Sequence, residues 1–174
     1  MGFDKPSLKG RALRLLAQRE HSRAELQRKL ASHEETPGEL AQALDELQAR
    51  GFIDEQRVIE SVIHRRAARL GASRVRQELQ AKGLPAEAVA QAVDGLRGSE
   101  LERAREVWRK KFGRAPTDPA DWARQARFLV ARGFDAGVAR RIIGDVEAMG
   151  VELSRLYAGV KGHVRLVANL SAIV

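Results

Sequence analysis

The sequence predicts an all-α protein built from tandem three-helix repeats that form an elongated, curved array. Three observations carry that expectation. Ala, Leu, Arg, Glu and Gln dominate the chain, and these are good helix formers. Aromatic residues make up only 5% of the 174 residues and proline occurs five times, which disfavours a sandwich or barrel of aromatic and β-branched strands. Most telling is an internal period. Leu30, Leu40, Leu44 and Leu47 map onto Leu79, Val89, Val93 and Leu96 at a constant offset of 49, and these onto Leu129, Ala139, Ile143 and Val146 at an offset of 50. A period of that size is the mark of stacked units that bury their faces against their neighbours.

Taken in order, the first helix runs from Leu8 to Glu20, with Leu8, Ala12, Leu15 and Leu16 on one face. Ser22 with Glu25 three residues on is a capping box for a helix carrying Leu26 and Leu30. Thr36-Pro37 opens the next, with Pro in a tolerated first-turn position, and Gly51 stops it. Asp54 caps a helix running to about Leu70 through Val58, Val62 and Ile63. Lys82-Gly83-Leu84 and Arg132-Gly133-Phe134 are equivalent turns in the second and third copies. A further helix spans Glu100 to Lys111, and the third helix of the last copy starts near Val151. The expected divisions are an N-terminal helix over 1–20, repeats over 21–70 and 71–114, and a third repeat over 115–174 with an atypical tail. Arg97-Gly98-Ser99 and the stretch from Arg114 to Pro119 are the expected joints. In the tail, Leu153, Leu156, Tyr157, Val160, Val164 and Val167 form a helical stripe that closes the array, bent or broken at Gly159 and Gly162.

The composition excludes several classes of function. No cysteine is present, which removes disulfides, thiol chemistry and Cys-based zinc sites. The start, MGFDKPSLKG, lacks the apolar core of a signal peptide, and no window reaches the ~18 apolar residues of a membrane span. His21, His33, His64 and His163 have no histidine at i+3 or i+4, so no helical metal pair arises. His33 beside Glu34 and Glu35 reads as a solvated turn. No phosphate-cradling glycine loop occurs, and no serine and histidine are read as a nucleophile with its base. Neither enzyme activity nor a cofactor is expected.

Arginine placement carries the functional signal. The formal charge is +8, which favours an anionic partner. Between Glu60 and Glu78 there is no acid, yet Arg65, Arg66, Arg69, Arg74 and Arg76 all occur. Arg65 and Arg69 are expected on one helix face. A second cluster is Arg109, Lys110, Lys111 and Arg114, and a third is Arg124, Arg127 and Arg132 followed by Arg140 and Arg141. The bland reading is solubility; the sharper one is a basic stripe that contacts phosphate or carboxylate, for which arginine is well shaped. Trp108, Phe112, Trp122, Phe128 and Phe134 lie near these charges and are read as core, not as base-stacking platforms.

Four segments together resemble the RecX family, bacterial modulators of the recombinase RecA. Arg19 to Leu26, continuing to Lys29-Leu30, is similar to the family's N-terminal signature. Gly51 to Arg57 resembles its glycine-aromatic-acidic motif, and Glu78 to Leu84 and Phe128-Leu129 with Arg132-Gly133-Phe134 resemble its second and third repeat turns. The resemblance covers roughly residues 8–148. It implies tandem three-helix repeats and binding in the groove of the RecA–DNA filament. It also implies inhibition of ATPase, strand-exchange and coprotease activities, and so control of DNA repair, recombination and the SOS response. Under this reading the basic clusters contact filament or DNA phosphates, and the protein is a cytoplasmic monomer with no membrane contact. A stand-alone, sequence-neutral DNA-binding helical protein is the alternative, and a scaffold that binds only protein is a third class.

Overall fold

The structure, a computed structural model, describes the backbone of residues 6–170 and the side chains of residues 6–152 and 154–156. Among the described residues there is no strand. The helices are α1 (Leu8–Leu16), α2 (Arg23–Leu30), a 3₁₀ turn over Ala31–His33, α3 (Glu39–Ala49), α4 (Glu55–Arg66), α5 (Ala72–Ala81), α6 (Ala86–Arg97), α7 (Glu100–Lys111), α8 (Pro119–Ala131) and α9 (Ala136–Leu170).

Helix starts follow the capping chemistry of the sequence. Ser22 and Glu25 form a reciprocal capping box on α2, Asp54 accepts from the Arg57 N–H to start α4, and Asp118 does the same for α8 with Pro119 in the first turn. Thr36-Pro37 lies ahead of α3, which starts after Gly38 instead. The Glu34 carboxylate accepts from the N–H groups of Gly38 and Leu40 at 2.9 and 3.0 Å and so fixes the start two residues later. Helix α4 ends at Arg66 rather than near Leu70, and the chain turns there with the Arg69 and Leu70 N–H groups both bonded to the Arg66 carbonyl.

Three hydrophobic cores lie in series. The first joins Leu8, Ala12, Leu26, Leu30, Leu40, Leu44 and Leu47, from α1 to α3. Val58, Ile59 and Val62 of α4 pack with Val75, Leu79, Val89 and Val93 in the second. Ala104 and Trp108 of α7 pack with Leu129, Phe134, Ala139, Ile142 and Ile143 in the third. Each module therefore begins one helix earlier than the divisions at 21, 71 and 115: α4 and α7 open the second and third modules instead of closing the first and second. The physical reason is burial. The apolar stripe of α4 fits α5 and α6, while Ile53 just before it completes the first core. Of the expected joints, 97–99 does separate two modules, whereas 114–119 is an internal turn of the third.

The last module has no separate third helix near Val151. Helix α9 continues without interruption from Ala136 to Leu170, through Gly159 and Gly162; nothing in this stretch is proline, and glycine only weakens a helix. Met149, Val151 and Leu156 are more than half exposed, at 62%, 53% and 59%, so this part of α9 does not close the third core. The side chains of Leu153, Tyr157, Val160, Val164 and Val167 lie outside the described residues.

Candidate functional site

Two joints set the modules, and with them the cationic faces, in fixed relation. At the first joint the Ser22 hydroxyl donates to the Lys82 carbonyl. Arg28 donates to the Ala81 carbonyl at 2.9 Å. The turn comes so near α2 that a Cβ on Gly83 would fall 2.6 Å from that of Ala24. Glu25 is the ionic centre here: Lys82 Nζ reaches its Oε1 at 2.8 Å and Arg19 Nη2 at 3.0 Å, while the Ser22 N–H donates to Oε2 at 3.0 Å. Burial raises the Glu25 pKa, but the bonds from Arg19, Lys82 and Ser22 overcome this and hold it down at about 2. His21 is buried beside it, its Nδ1 4.0 Å from Glu25 Oε2 and without a hydrogen-bond partner. Burial, with Arg19 next, depresses the His21 pKa below 6.5 and keeps the imidazole neutral.

The second joint is made mostly of backbone. The Gly71 N–H donates to the Arg132 carbonyl at 2.9 Å and the Ser73 N–H to the Gly133 carbonyl at 3.2 Å. Arg74 Nε adds a bond to the Ala131 carbonyl at 3.2 Å. Gly133 has φ +84, a conformation glycine adopts freely. From α7, Glu100 accepts from the Ala72 N–H at 3.1 Å and thus caps α5, whose start has no side-chain cap of its own. Arg103 donates to the carbonyls of Ala67 and Leu70 at 2.8 Å each and of Leu96 at 3.0 Å. One guanidinium thereby satisfies the exposed ends of α4 and α6.

The structure divides the sequence-selected cations into paired and unpaired groups. Arg66 is held by Glu78 at 3.0 Å, Arg109 by Glu106 at 3.0 Å and Arg124 by Asp121 at 2.6 Å. Arg65 folds back on the Ser61 carbonyl at 3.0 Å, and Arg74 belongs to the second joint. Arg69 stands beyond the end of α4, so it does not continue the face of Arg65. Among the described residues, Arg69, Arg76, Lys110, Lys111, Arg127, Arg140 and Arg141 have no carboxylate partner. Arg76 lines an open groove of about 490 Å³ at the second joint with Arg97, Ser73, Val130 and Phe134. Arg132 has no ion pair either; its guanidinium carbon lies 3.7 Å from the centre of the Phe128 ring.

Aromatic placement is mixed. Trp108 and Phe134 are core, and the Trp108 Nε1–H donates to the Gln125 side-chain Oε1 at 2.7 Å. Phe112, Trp122 and Phe128 are half-buried. The rings of Phe112 and Phe128 meet edge to face at 5.0 Å. Asp121 stands at the head of α8, bound by Arg124, by Arg114 at 2.9 Å and by the Thr117 N–H at 3.2 Å. Burial raises its pKa, and these donors bring it down to about 2.

Sequence reasoning missed Lys82, Arg103 and Glu100 as joint residues, because their partners lie 57, 36 and 28 residues away. It also missed a basic recess on the first module, where Arg11, Arg14, Lys29 and His33 line a hollow of about 340 Å³. The available signal was Lys29 falling four residues before His33, a spacing that shares a helix face. Among the described residues no cluster of three His, Asp or Glu can hold a metal ion, and no helix is long and apolar enough to cross a membrane.

Three stacked cores and these cationic faces define a tandem helical-repeat protein. Three family models match it in order: RecX, first three-helix domain, over residues 9–47; the second over 54–93; and the third over 99–143. The chain belongs to the RecX family, a family of regulatory proteins and not of enzymes. It is 58% identical over 137 residues to the regulatory protein RecX of Leptothrix cholodnii, covering 79% of this chain and 87% of that one. With the regulatory protein RecX of Ralstonia nicotianae it shares 48% over 143 residues, covering 82% and 90%. In fold it resembles the crystal structure of RecX from Lactobacillus salivarius, with a TM-score of 0.67, 19% identity, and 81% and 95% of the two chains covered.

Proposed function

We propose that this protein binds the RecA–DNA filament and restrains its ATPase, strand-exchange and coprotease activities. The observation that carries this reading is the set of cations without carboxylate partners on a serial array: Arg14 and Lys29 on the first module, Arg69 and Arg76 on the second, and Lys110, Lys111, Arg127, Arg140 and Arg141 on the third. A filament groove is long and lined by protein and phosphate. Modules in series, with helices of 12 residues and so about 18 Å long, reach across more than one filament protomer. A ligand fixed to two protomers resists their relative movement during hydrolysis. Many modest charged contacts steer the encounter and supply specificity. In this reading the protein acts as a monomer in the cytoplasm.

The test is titration of the protein into a running single-strand-dependent RecA ATPase reaction. Hydrolysis is expected to fall as the protein approaches the recombinase concentration. An unchanged rate at several-fold excess overturns the reading. Sequence-neutral binding to DNA alone is the second reading, favoured by the same unpaired cations. Anisotropy of a labelled single strand, with and without recombinase, separates the two.

A further inference from the structure

We propose that Arg132, stacked on Phe128, is a platform for a nucleobase of single-stranded nucleic acid. Three observations on the third module converge on it. First, the Arg132–Phe128 pair is unlike the other arginine–aromatic contacts among the described residues. Its guanidinium carbon is 3.7 Å from the ring centre, against 5.4, 5.8 and 6.0 Å for Arg50–Phe52, Arg124–Phe112 and Arg103–Phe134. At 3.7 Å only the flat face of the guanidinium fits against the ring, since an edge-on N–H would hold the carbon further off. Second, the plane is held in place without using its donors. Phe128 is itself braced edge to face by Phe112 at 5.0 Å, and no hydrogen-bond acceptor or carboxylate among the described residues engages the Arg132 guanidinium. Third, the surroundings are cationic. Arg127, the residue before Phe128, is exposed and unpaired, and Arg74 reaches across the joint to the Ala131 carbonyl at 3.2 Å.

This combination suits a single strand. Unpaired bases stack on arginine planes as well as on aromatic rings, while neighbouring cations follow the phosphates. The outer face of the guanidinium takes the base, its unused N–H groups reach a base edge or phosphate, and Arg127 tracks the backbone. Duplex DNA keeps its bases stacked on each other and offers no free face. The inference deepens the filament reading, in that it names the nucleic acid component that one part of the basic surface contacts.

The experiment uses the full chain without recombinase, so its outcome is independent of ATPase inhibition. Binding of a labelled oligothymidine is compared with binding of an abasic deoxyribose-phosphate chain of the same length. The parent is expected to prefer the oligothymidine by roughly five- to 150-fold, the range of one stacked base. Arg132→Lys keeps the charge and loses the plane, so the preference should collapse while binding to the abasic chain persists. Phe128→Leu, which keeps an apolar body, should do the same. Equal affinity of the parent for the two chains overturns the inference, as does undiminished preference in Arg132→Lys or failure of the parent to bind either chain. If Arg132→Lys loses ATPase inhibition but keeps its base preference, Arg132 contacts protein; the inference then falls while the filament reading stands.

Discussion

Gly71 and Gly133 are in backbone contact across the second joint: a Cβ on Gly71 would lie 2.2 Å from the carbonyl carbon and oxygen of Gly133. Backbone atoms cannot rotate aside as a side chain can. Gly71→Ala is therefore expected to destabilise the protein by about 1–3 kcal/mol, the usual cost of overpacking. Gly98→Ala is the matched control, since nothing lies within 4 Å of its added methyl and its φ is −59; it should be neutral or slightly stabilising. Denaturant midpoints of the two variants check this, and equal midpoints would remove the joint from the account.

The first joint should weaken in acid. Glu25 has a pKa of about 2 in the folded protein against an ordinary 4.5. A carboxylate held ionised by folding contributes fully above 4.5, and its contribution disappears as pH falls towards 2, a total of about 3 kcal/mol. Neutral, buried His21 acts in the same direction from higher pH, because protonation below 6.5 favours the unfolded chain. Urea midpoints are expected to fall from pH 6.5 downwards. Glu25→Gln should start lower and decline less steeply below pH 4.5. A profile parallel to the parent's would show that Glu25 is not the titrating group.

Removing Arg103 exposes three helix-end carbonyls at once. Arg103→Met keeps much of the aliphatic stem, and a loss of about 3 kcal/mol is expected from the unsatisfied acceptors of Ala67, Leu70 and Leu96. Arg103→Lys should recover only part of this, since a single ammonium cannot span both helix ends as a guanidinium does. Thermal unfolding of the pair measures the difference. Full recovery by lysine would mean that charge, and not the fork geometry, matters here.

Charge reversal at Arg127, Arg140 and Arg141 should weaken filament binding with the fold intact. None of the three is buried or paired with a carboxylate among the described residues. Circular dichroism should be unchanged, and the salt dependence of binding shallower. Reversing Arg66 is a poorer probe, because it leaves Glu78 facing a second carboxylate. If the triple variant inhibits hydrolysis as well as the parent, these residues are only a solvated face.

Val151→Ser combined with Leu156→Ser is expected to leave the melting temperature within a degree or two. Both side chains are exposed, at 53% and 59%, so neither contributes to the core. Of the stripe expected to close the array, Leu156 is exposed, and the side chains of the other five members lie outside the described residues. A fall of several degrees, or aggregation, would support that expectation.

Helix faces were readable from the chain because a core leucine leaves a trace every three or four residues. The 49- and 50-residue offsets likewise located the turns at Gly83 and Gly133. Module phase was not readable. Offsets report that a pattern recurs, but not whether α4 serves the core before it or the one after it. The joints were harder still. Glu25 showed itself as a capping residue, while its second partner, Lys82, is far along the chain. The Gly71–Gly133 contact uses backbone groups that every residue carries. Among the cations, sequence found the clusters but could not separate Arg66, which meets Glu78 across a turn, from Arg69, which does not.

The carboxylate at the head of α8 also fills, from within its own module, a place that the other two modules leave to a neighbour's turn. Offsets of 49 and 50 place Asp121 in register with Ser22 and Gly71, although α8 starts a turn earlier, at Asp118. Ser22 receives the turn of the second module and Gly71 that of the third. At Asp121 the same place is taken by the chain's own loop, through Arg114 and the Thr117 N–H. Any turn docking at that place would first have to displace the bonds that Arg114, Arg124 and the Thr117 N–H make to Asp121. A local loop stands there where the other two modules receive a turn from along the chain.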